Sequence, residues 1–259
     1  KEYIENKINY CLLHFLKKDV FLKFKEDFFV LNRKLLQGDL LKLAKEAGAN
    51  IFLGEKIDFK FLEYAKKNFD RIIGVDGAQS TVRKFLNLKE PNFLLGIQGF
   101  LEKEDFSNLV EVWPQKNGFL WKIPRGKYIE YGVLESINTA GRIFKEFQEK
   151  NNLKLKRTSA ALVPQGLILS FDPKITICGD ASGLTKPWSG GGIIWNLIQA
   201  DFILKNYPDF VEASKKIKSF FKYKIFFSKI LKKIVLSFQP KLSFLFPSLI
   251  GIDGDFLFF

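Results

Sequence analysis

The stretch Lys174–Leu204, KITICGDASGLTKPWSGGGIIWNLIQADFIL, decides how the rest of the chain is read. Its first residues, Ile175–Cys178, have strand composition and end in the turn dipeptide Gly179-Asp180. A loop of small residues follows, then Gly190, Gly191 and Gly192, then an apolar helical run. A carboxylate at a strand tip can accept hydrogen bonds from sugar-like hydroxyls. Glycines at a helix start let backbone N–H groups approach an anion, aided by the positive end of the helix dipole. The combination suits a nucleotide-type ligand lying across the end of a sheet.

A second unit of the same plan lies upstream in Asp70–Leu86, DRIIGVDGAQSTVRKFL. Ile72–Val75 predicts a strand, Asp76-Gly77 a tight turn, and Ser80 the cap of a helix carrying Val82 and Phe85. Before it, Leu36, Leu40, Leu43 and Ala47 recur at helical spacing, with Asn32 placed to cap the helix and Gly48 to stop it. Ile51–Leu53 then predicts a short buried strand. The runs Tyr10–Phe15 and Val20–Lys25 predict a strand pair, and residues 55–69 a surface helix or hairpin. Between the two Asp-Gly-type units the character changes. Phe93–Leu101, Leu109–Trp113, Gly118–Ile123 and Lys127–Leu134 predict an antiparallel sheet, with a helix over Ile143–Asn151. Phe210–Val235 predicts a lysine-rich helical region, followed by a tail with Pro240 and Pro247.

At 259 residues and 47% hydrophobic, the chain can bury a substantial core. A net charge of +13 favours acidic partners, although lysine is abundant throughout. No nucleic-acid-binding motif accompanies that charge. In Ser214–Val235 the lysines interleave with Phe and Ile, as in helices that lie on anionic membranes and as in ordinary packed helices with a solvated face. Two distant cysteines, Cys11 and Cys178, fit a reducing, cytoplasmic setting, and no metal-type spacing is present. The single histidine, His14, sits in an apolar run and reads as structural.

GVDGAQSTVRK (74–84) followed by ITICGDASGLTKPWSGGGIIWNL (175–197), with a β-rich insertion between them, resembles the flavoprotein group of aromatic hydroxylases and geranylgeranyl reductases. The run Gly179-Asp180-Ala181-Ser182-Gly183, with Lys186-Pro187-Trp188-Ser189 before the three glycines, is similar to the archaeal-type geranylgeranyl reductases in particular. So are Phe119-Leu120-Trp121-Lys122-Ile123-Pro124, the Arg33-bearing helix and Gly254-Asp255 near the end. The resemblance implies an α/β (α+β) fold: a truncated Rossmann-like FAD-binding domain, an inserted antiparallel substrate domain and a helical C-terminal region. Its boundaries fall at 1–86 and 166–212 for the FAD-binding parts, 87–165 for the substrate domain and 213–259 for the last region.

It also implies reduction of C=C bonds in geranylgeranyl chains of isoprenoid lipids. FAD would be held by Arg33, Asp76, Gly77, Gly179, Asp180, Ala181, Gly190, Gly191 and Gly192. Phe119, Trp121 and Trp188, with Trp195, would line a pocket for the polyprenyl substrate, and Lys186 would be solvated or near the flavin edge. No side chain is assigned as proton donor, and no electron donor is implied. The family's glycine-rich pyrophosphate-binding turn has no counterpart between residues 1 and 259. Three alternatives stay open: an upstream segment, a separate chain, or loss of FAD binding. A flavin-dependent aromatic monooxygenase and a non-catalytic membrane-surface subunit are the competing functional readings.

Overall fold

The computed structural model describes residues 2–15, 18–237 and 249–250. Gly254-Asp255, Pro240 and Pro247 lie outside the described residues. The architecture is mixed α/β. One sheet has eight strands in the order β10-β2-β1-β5-β6-β7-β4-β8. Its members are β1 (Ile4–His14), β2 (Asp19–Leu31), β4 (Asn92–Leu101), β5 (Leu109–Pro114), β6 (Phe119–Pro124), β7 (Ile129–Ser136), β8 (Lys156–Gln165) and the two-residue β10 (Leu249–Ile250). Neighbours pair antiparallel except β1 with β5 and β10 with β2. Among the described residues, a second, parallel sheet holds β3 (Ile72–Gly74) and β9 (Ile175–Ile177).

The first two strands are longer than the sequence predicts, and they extend the larger sheet. The sheets therefore do not divide at residue 86. Pairing β1 with β5 joins segments about a hundred residues apart, which no local pattern encodes.

β7 is buried along nearly its whole length. Its residues Ile129, Tyr131 and Val133 pack with Leu120, Ala140 and Phe144, the last two from helix α4 (Ile137–Lys150). That helix starts six residues before the predicted Ile143. Its N-terminal side follows Ser136, at the end of β7, so it folds directly back onto the sheet. Because strand side chains alternate, Glu130, Gly132 and Leu134 face away from α4.

Helix α1 (Arg33–Glu46) is capped by Asn32, whose side chain accepts from the Leu35 N–H at 3.2 Å, and ends before Gly48 at φ +91°. It has no buried residue, although Leu36, Leu40 and Leu43 recur at helical spacing; Leu40 and Leu43 are exposed. Ile51–Leu53 is not a strand: among the described residues no strand pairs with it, and Phe52 and Leu53 are 80% and 74% exposed. Helix α2 (Phe59–Asn68) resolves the helix-or-hairpin alternative for residues 55–69. Its Leu62 packs with Val82, Ile175 and Ile177 against one side of the small sheet.

Helix α5 (Ile193–Lys205) packs on α6 (Phe210–Ser237), where Trp195 and Ile203 meet Phe210, Ile217 and Phe221. His14 is structural as expected. Its ring stacks on Trp113 at 4.7 Å, with Nε2 2.9 Å from Glu111 and Nδ1 3.2 Å from Asp19.

Candidate functional site

The tips of β3 and β9 and the start of α5 converge on one turn. After β9 the chain makes a short 3-10 turn, Gly179–Ser182, entered by Gly179 at φ +70° and left by Gly183 at φ +72°. Left-handed backbone at both ends is where glycine is least strained. The turn is fastened to both neighbouring elements. Gln199 of α5, fully buried, accepts from the Gly179 N–H at 3.1 Å and the Ser182 hydroxyl at 2.9 Å, and donates to the Ile177 carbonyl at 3.3 Å. From the other side, helix α3 (Thr81–Phe85) sends Arg83 into the turn. Its guanidinium donates to the carbonyls of Ala181 (2.8 Å) and Ala78 (2.7 Å) and pairs with Glu90. Arg83 thus ties together the two motifs that are nearly a hundred residues apart.

This clamp presents Asp180 outward. Its carboxylate is exposed and makes no hydrogen bond or ion pair among the described residues. A Cβ placed on Gly192 would lie 3.5 Å from Asp180 Oδ1 and 2.9 Å from Asn196 Nδ2, so the carboxylate sits beside the start of α5. That helix start has no side-chain cap. Asn196 Oδ1 is buried without a hydrogen-bond partner. An exposed acceptor, an orphaned buried acceptor and uncapped N–H donors together form a polar site whose hydrogen bonds the chain itself leaves unmade. A ligand carrying both hydroxyls and carbonyl-type acceptors fits this donor–acceptor set, and FAD has both.

The glycine loop is more constrained than three flexible residues would be. Lys186 N–H donates to Gly191 O and Gly190 N–H to Lys186 O, each at 2.9 Å, and Gly191 N–H reaches Ser189 Oγ at 3.3 Å. The N–H groups of Gly190 and Gly191 thus bond within the loop. Gly190 has φ +69°, and a Cβ there would lie 2.5 Å from Leu134 Cδ2. The loop therefore presses on the β7 face opposite α4. Phe119 and Trp121 share that face, because Phe119 pairs with Leu134 and Trp121 with Gly132. Both are half-buried, and their rings are 5.8 Å apart. Trp121 Nε1 donates to Glu130 at 2.9 Å, which orients the indole.

Other expected site residues have different surroundings. The Asp76 carboxylate is engaged at α3, accepting from Ser80 Oγ (2.6 Å) and from the N–H groups of Thr81 (2.6 Å) and Val82 (3.1 Å). Gly77 avoids no protein clash, since a Cβ there meets only open space; its φ of +80° is what favours glycine. Arg33 is exposed in the first turn of α1. Lys186 is not solvated: it is 8% exposed, with Nζ 5.9 Å from the Trp195 ring centre. Trp195 belongs to the helical core and not to a pocket wall, whereas Trp188 is half-buried in the loop. Both cysteines are buried, their thiols pushed up by burial to about 12 for Cys11 and about 11 for Cys178, so neither is a nucleophile at neutral pH. Among the described residues no acidic, histidine or cysteine cluster could hold a metal ion, and no helix is long and apolar enough to cross a membrane.

Sequence reasoning missed Gln199, Asn196 and Arg83. A signal was present for the first two: they are the uncharged polar residues of an apolar helix, spaced i, i+3 on the face turned to Gly179.

The same fold occurs in solved flavoproteins. A geranylgeranyl bacteriochlorophyll reductase-like protein from Thermoplasma acidophilum superposes with TM-score 0.71 at 17% identity, over 91% of this chain and 72% of that one. A flavin-dependent brominase gives 0.72 at 10% identity, over 94% and 73%. A flavin-dependent halogenase gives 0.63 at 11% identity, over 86% and 51%. At such identities the likeness is one of fold. No protein-family model and no curated protein matches the sequence.

Proposed function

We propose that the chain is the core of an FAD-dependent oxidoreductase that reduces C=C bonds of geranylgeranyl chains on isoprenoid lipids. The observation that carries the cofactor reading is the outward Asp180 carboxylate beside the uncapped start of α5, with the orphaned Asn196 Oδ1 next to it. In this reading Asp180 accepts from a ribityl hydroxyl, and the first N–H groups of α5 face the flavin ring, where the helix dipole favours negative charge. When bound and reduced, FAD would supply hydride to one alkene carbon, and a proton from solvent would complete the saturation at its neighbour. Phe119 and Trp121 supply apolar surface on the sheet face beneath the Gly190 loop, suited to a chain recognised by area burial. The motif Gly179–Gly192 is what favours a reductase over the monooxygenase and halogenase chemistry found on similar folds.

The rest of the cofactor site belongs, in our reading, to a glycine-rich strand–turn–helix unit joined to this chain or supplied by another. A parallel sheet is normally covered on both faces. Here it has two strands, Val75 at its tip is 69% exposed, and α1 and Phe52-Leu53 leave their apolar side chains uncovered. A strand added beside β3 would pair its open edge. The exposed stripe Tyr223, Phe226, Phe227 and Ile230 of α6, flanked by Lys222, Lys224 and Lys229, fits contact with the anionic membrane that holds the lipid substrate.

The test is to isolate the protein from its native host, reduce its flavin, and follow geranylgeranyl lipids by mass spectrometry. Saturation of the chains supports the proposal. Halide- or oxygen-dependent modification of an aromatic substrate, without saturation, would replace it.

A further inference from the structure

Lys229, Lys232 and Lys233 of α6 recur at i, i+3, i+4 and so share one helix face. They border a cleft of about 320 Å³ that also takes in Lys116 and Asn117 of the β5–β6 turn, Phe93 and Leu94 of β4, and Pro187 of the glycine loop. None of the four lysines forms an ion pair among the described residues. Lys232 is half-buried, and burial holds its ammonium below the ordinary lysine range, with Glu135 pulling the other way. Glu135 is itself occupied: it is 1% exposed and accepts from Asn117 N–H (2.9 Å), Asn117 Nδ2 (2.6 Å) and Ser136 N–H (2.8 Å). Four lysines thus line a small cleft with an apolar floor, Lys232 half-buried and the other three exposed, near one carboxylate that is already satisfied. Their mutual repulsion is relieved when a multivalent anion enters.

We propose that this cleft binds the phosphate or diphosphate head of an amphiphilic ligand. The lysines act as point charges on the anion, while Phe93, Leu94 and Pro187 contact the first apolar carbons of its chain. Pro187 directly precedes the Trp188–Gly192 loop, so a head held here directs the attached chain toward the Asp180 site. The identity of that chain as polyprenyl rests on the reductase reading; the anion site does not.

Calorimetric titration of the full chain with inorganic pyrophosphate, geranylgeranyl diphosphate, geranylgeraniol and anionic vesicles tests it. The variants are the triple Lys229→Gln/Lys232→Gln/Lys233→Gln, the turn variant Lys116→Gln, and the control pair Lys215→Gln/Lys216→Gln elsewhere on α6. The expected result is binding of both diphosphates, at least tenfold tighter for geranylgeranyl diphosphate than for the alcohol. The triple variant should weaken both diphosphates at least tenfold, Lys116→Gln should weaken them several-fold, and the control pair should leave them unchanged. Equal losses in the triple variant and the control pair would overturn the site as mere net charge. Loss of vesicle binding with diphosphate binding intact would overturn it as a membrane-facing patch. If circular dichroism shows the triple variant unfolded, Lys116→Gln decides, and unaltered binding there refutes the cleft. Pyrophosphate binding as expected without any prenyl saturation would leave the cleft standing and remove the reductase reading.

Discussion

Replacing Gln199 by Leu removes the clamp between α5 and the Gly179 turn while keeping nearly the same volume. The Ser182 hydroxyl keeps a partner, because it also donates to the Gly179 carbonyl at 2.8 Å. The Gly179 N–H does not, since its bond at 3.1 Å goes to Gln199. An abandoned buried donor costs about 1–3 kcal/mol, and the long 3.3 Å bond to Ile177 O adds less. The added apolar side chain returns part of this, which leaves a net loss of about 2 kcal/mol. With a urea m-value of about 2 kcal/mol/M, the unfolding midpoint should fall by about 1 M with m unchanged. Leu at the exposed Gln37 of α1 is the control and should shift the midpoint by less than about 0.25 M. A Gln199→Leu midpoint equal to that of the control would refute the clamp, and with it the account of what holds Asp180 outward.

Three further outcomes follow from named contacts. Gly132→Ala places a Cβ 2.2 Å from Trp121 Cζ2 and 2.6 Å from the Ile97 carbonyl, so it should cost about 3 kcal/mol, lowering the melting temperature by roughly 10 °C in a calorimetric scan. Arg83→Met should cost about 3 kcal/mol in urea unfolding, whereas Glu90→Gln, with a half-exposed side chain, should cost under about 1 kcal/mol; equal costs would mean that the ion pair matters more than the two backbone carbonyls. Burial alone would raise the pKa of Glu135, yet the donors from Ser136 and Asn117 outweigh it and hold the carboxyl below its usual range. A carboxyl depressed on folding contributes stability above its unfolded pKa of about 4.3, and that contribution is lost as pH falls through the folded value. Urea midpoints should therefore fall more steeply from about pH 6 to pH 3 in the native protein than in Glu135→Gln.

What could be read from the sequence was mostly what is settled locally. Asn32 and Ser80 cap their helices as predicted, because a cap needs only a side-chain oxygen and an N–H three residues on. The short strands β3 and β9 lie where the two strand–turn–helix units predict them, while their parallel pairing is visible only in the fold. Ile51–Leu53 failed because a strand exists only against another strand, and none pairs with it among the described residues. Trp195 and Trp188 looked alike in sequence, yet one is locked under Phe221 at 5.2 Å between centroids while the other stays in the loop. The lysine cleft was invisible for the same reason as the β1–β5 pairing: it is assembled from β4, the β5–β6 turn, the glycine loop and α6, whose closeness only the fold creates.

The central claim is that the Asp180 site holds a flavin, and the most direct measurement is FAD affinity of the protein isolated from its native host, compared with Asp180→Ala. Losing a charge-assisted hydrogen bond costs about 1.5–3 kcal/mol, a factor of roughly 10 to 100 in Kd. The account predicts a bound flavin whose affinity falls by that factor, with the urea midpoint unchanged because the Asp180 carboxylate makes no hydrogen bond or ion pair among the described residues. Unaltered affinity in Asp180→Ala, or a protein that retains no flavin at all, would contradict it.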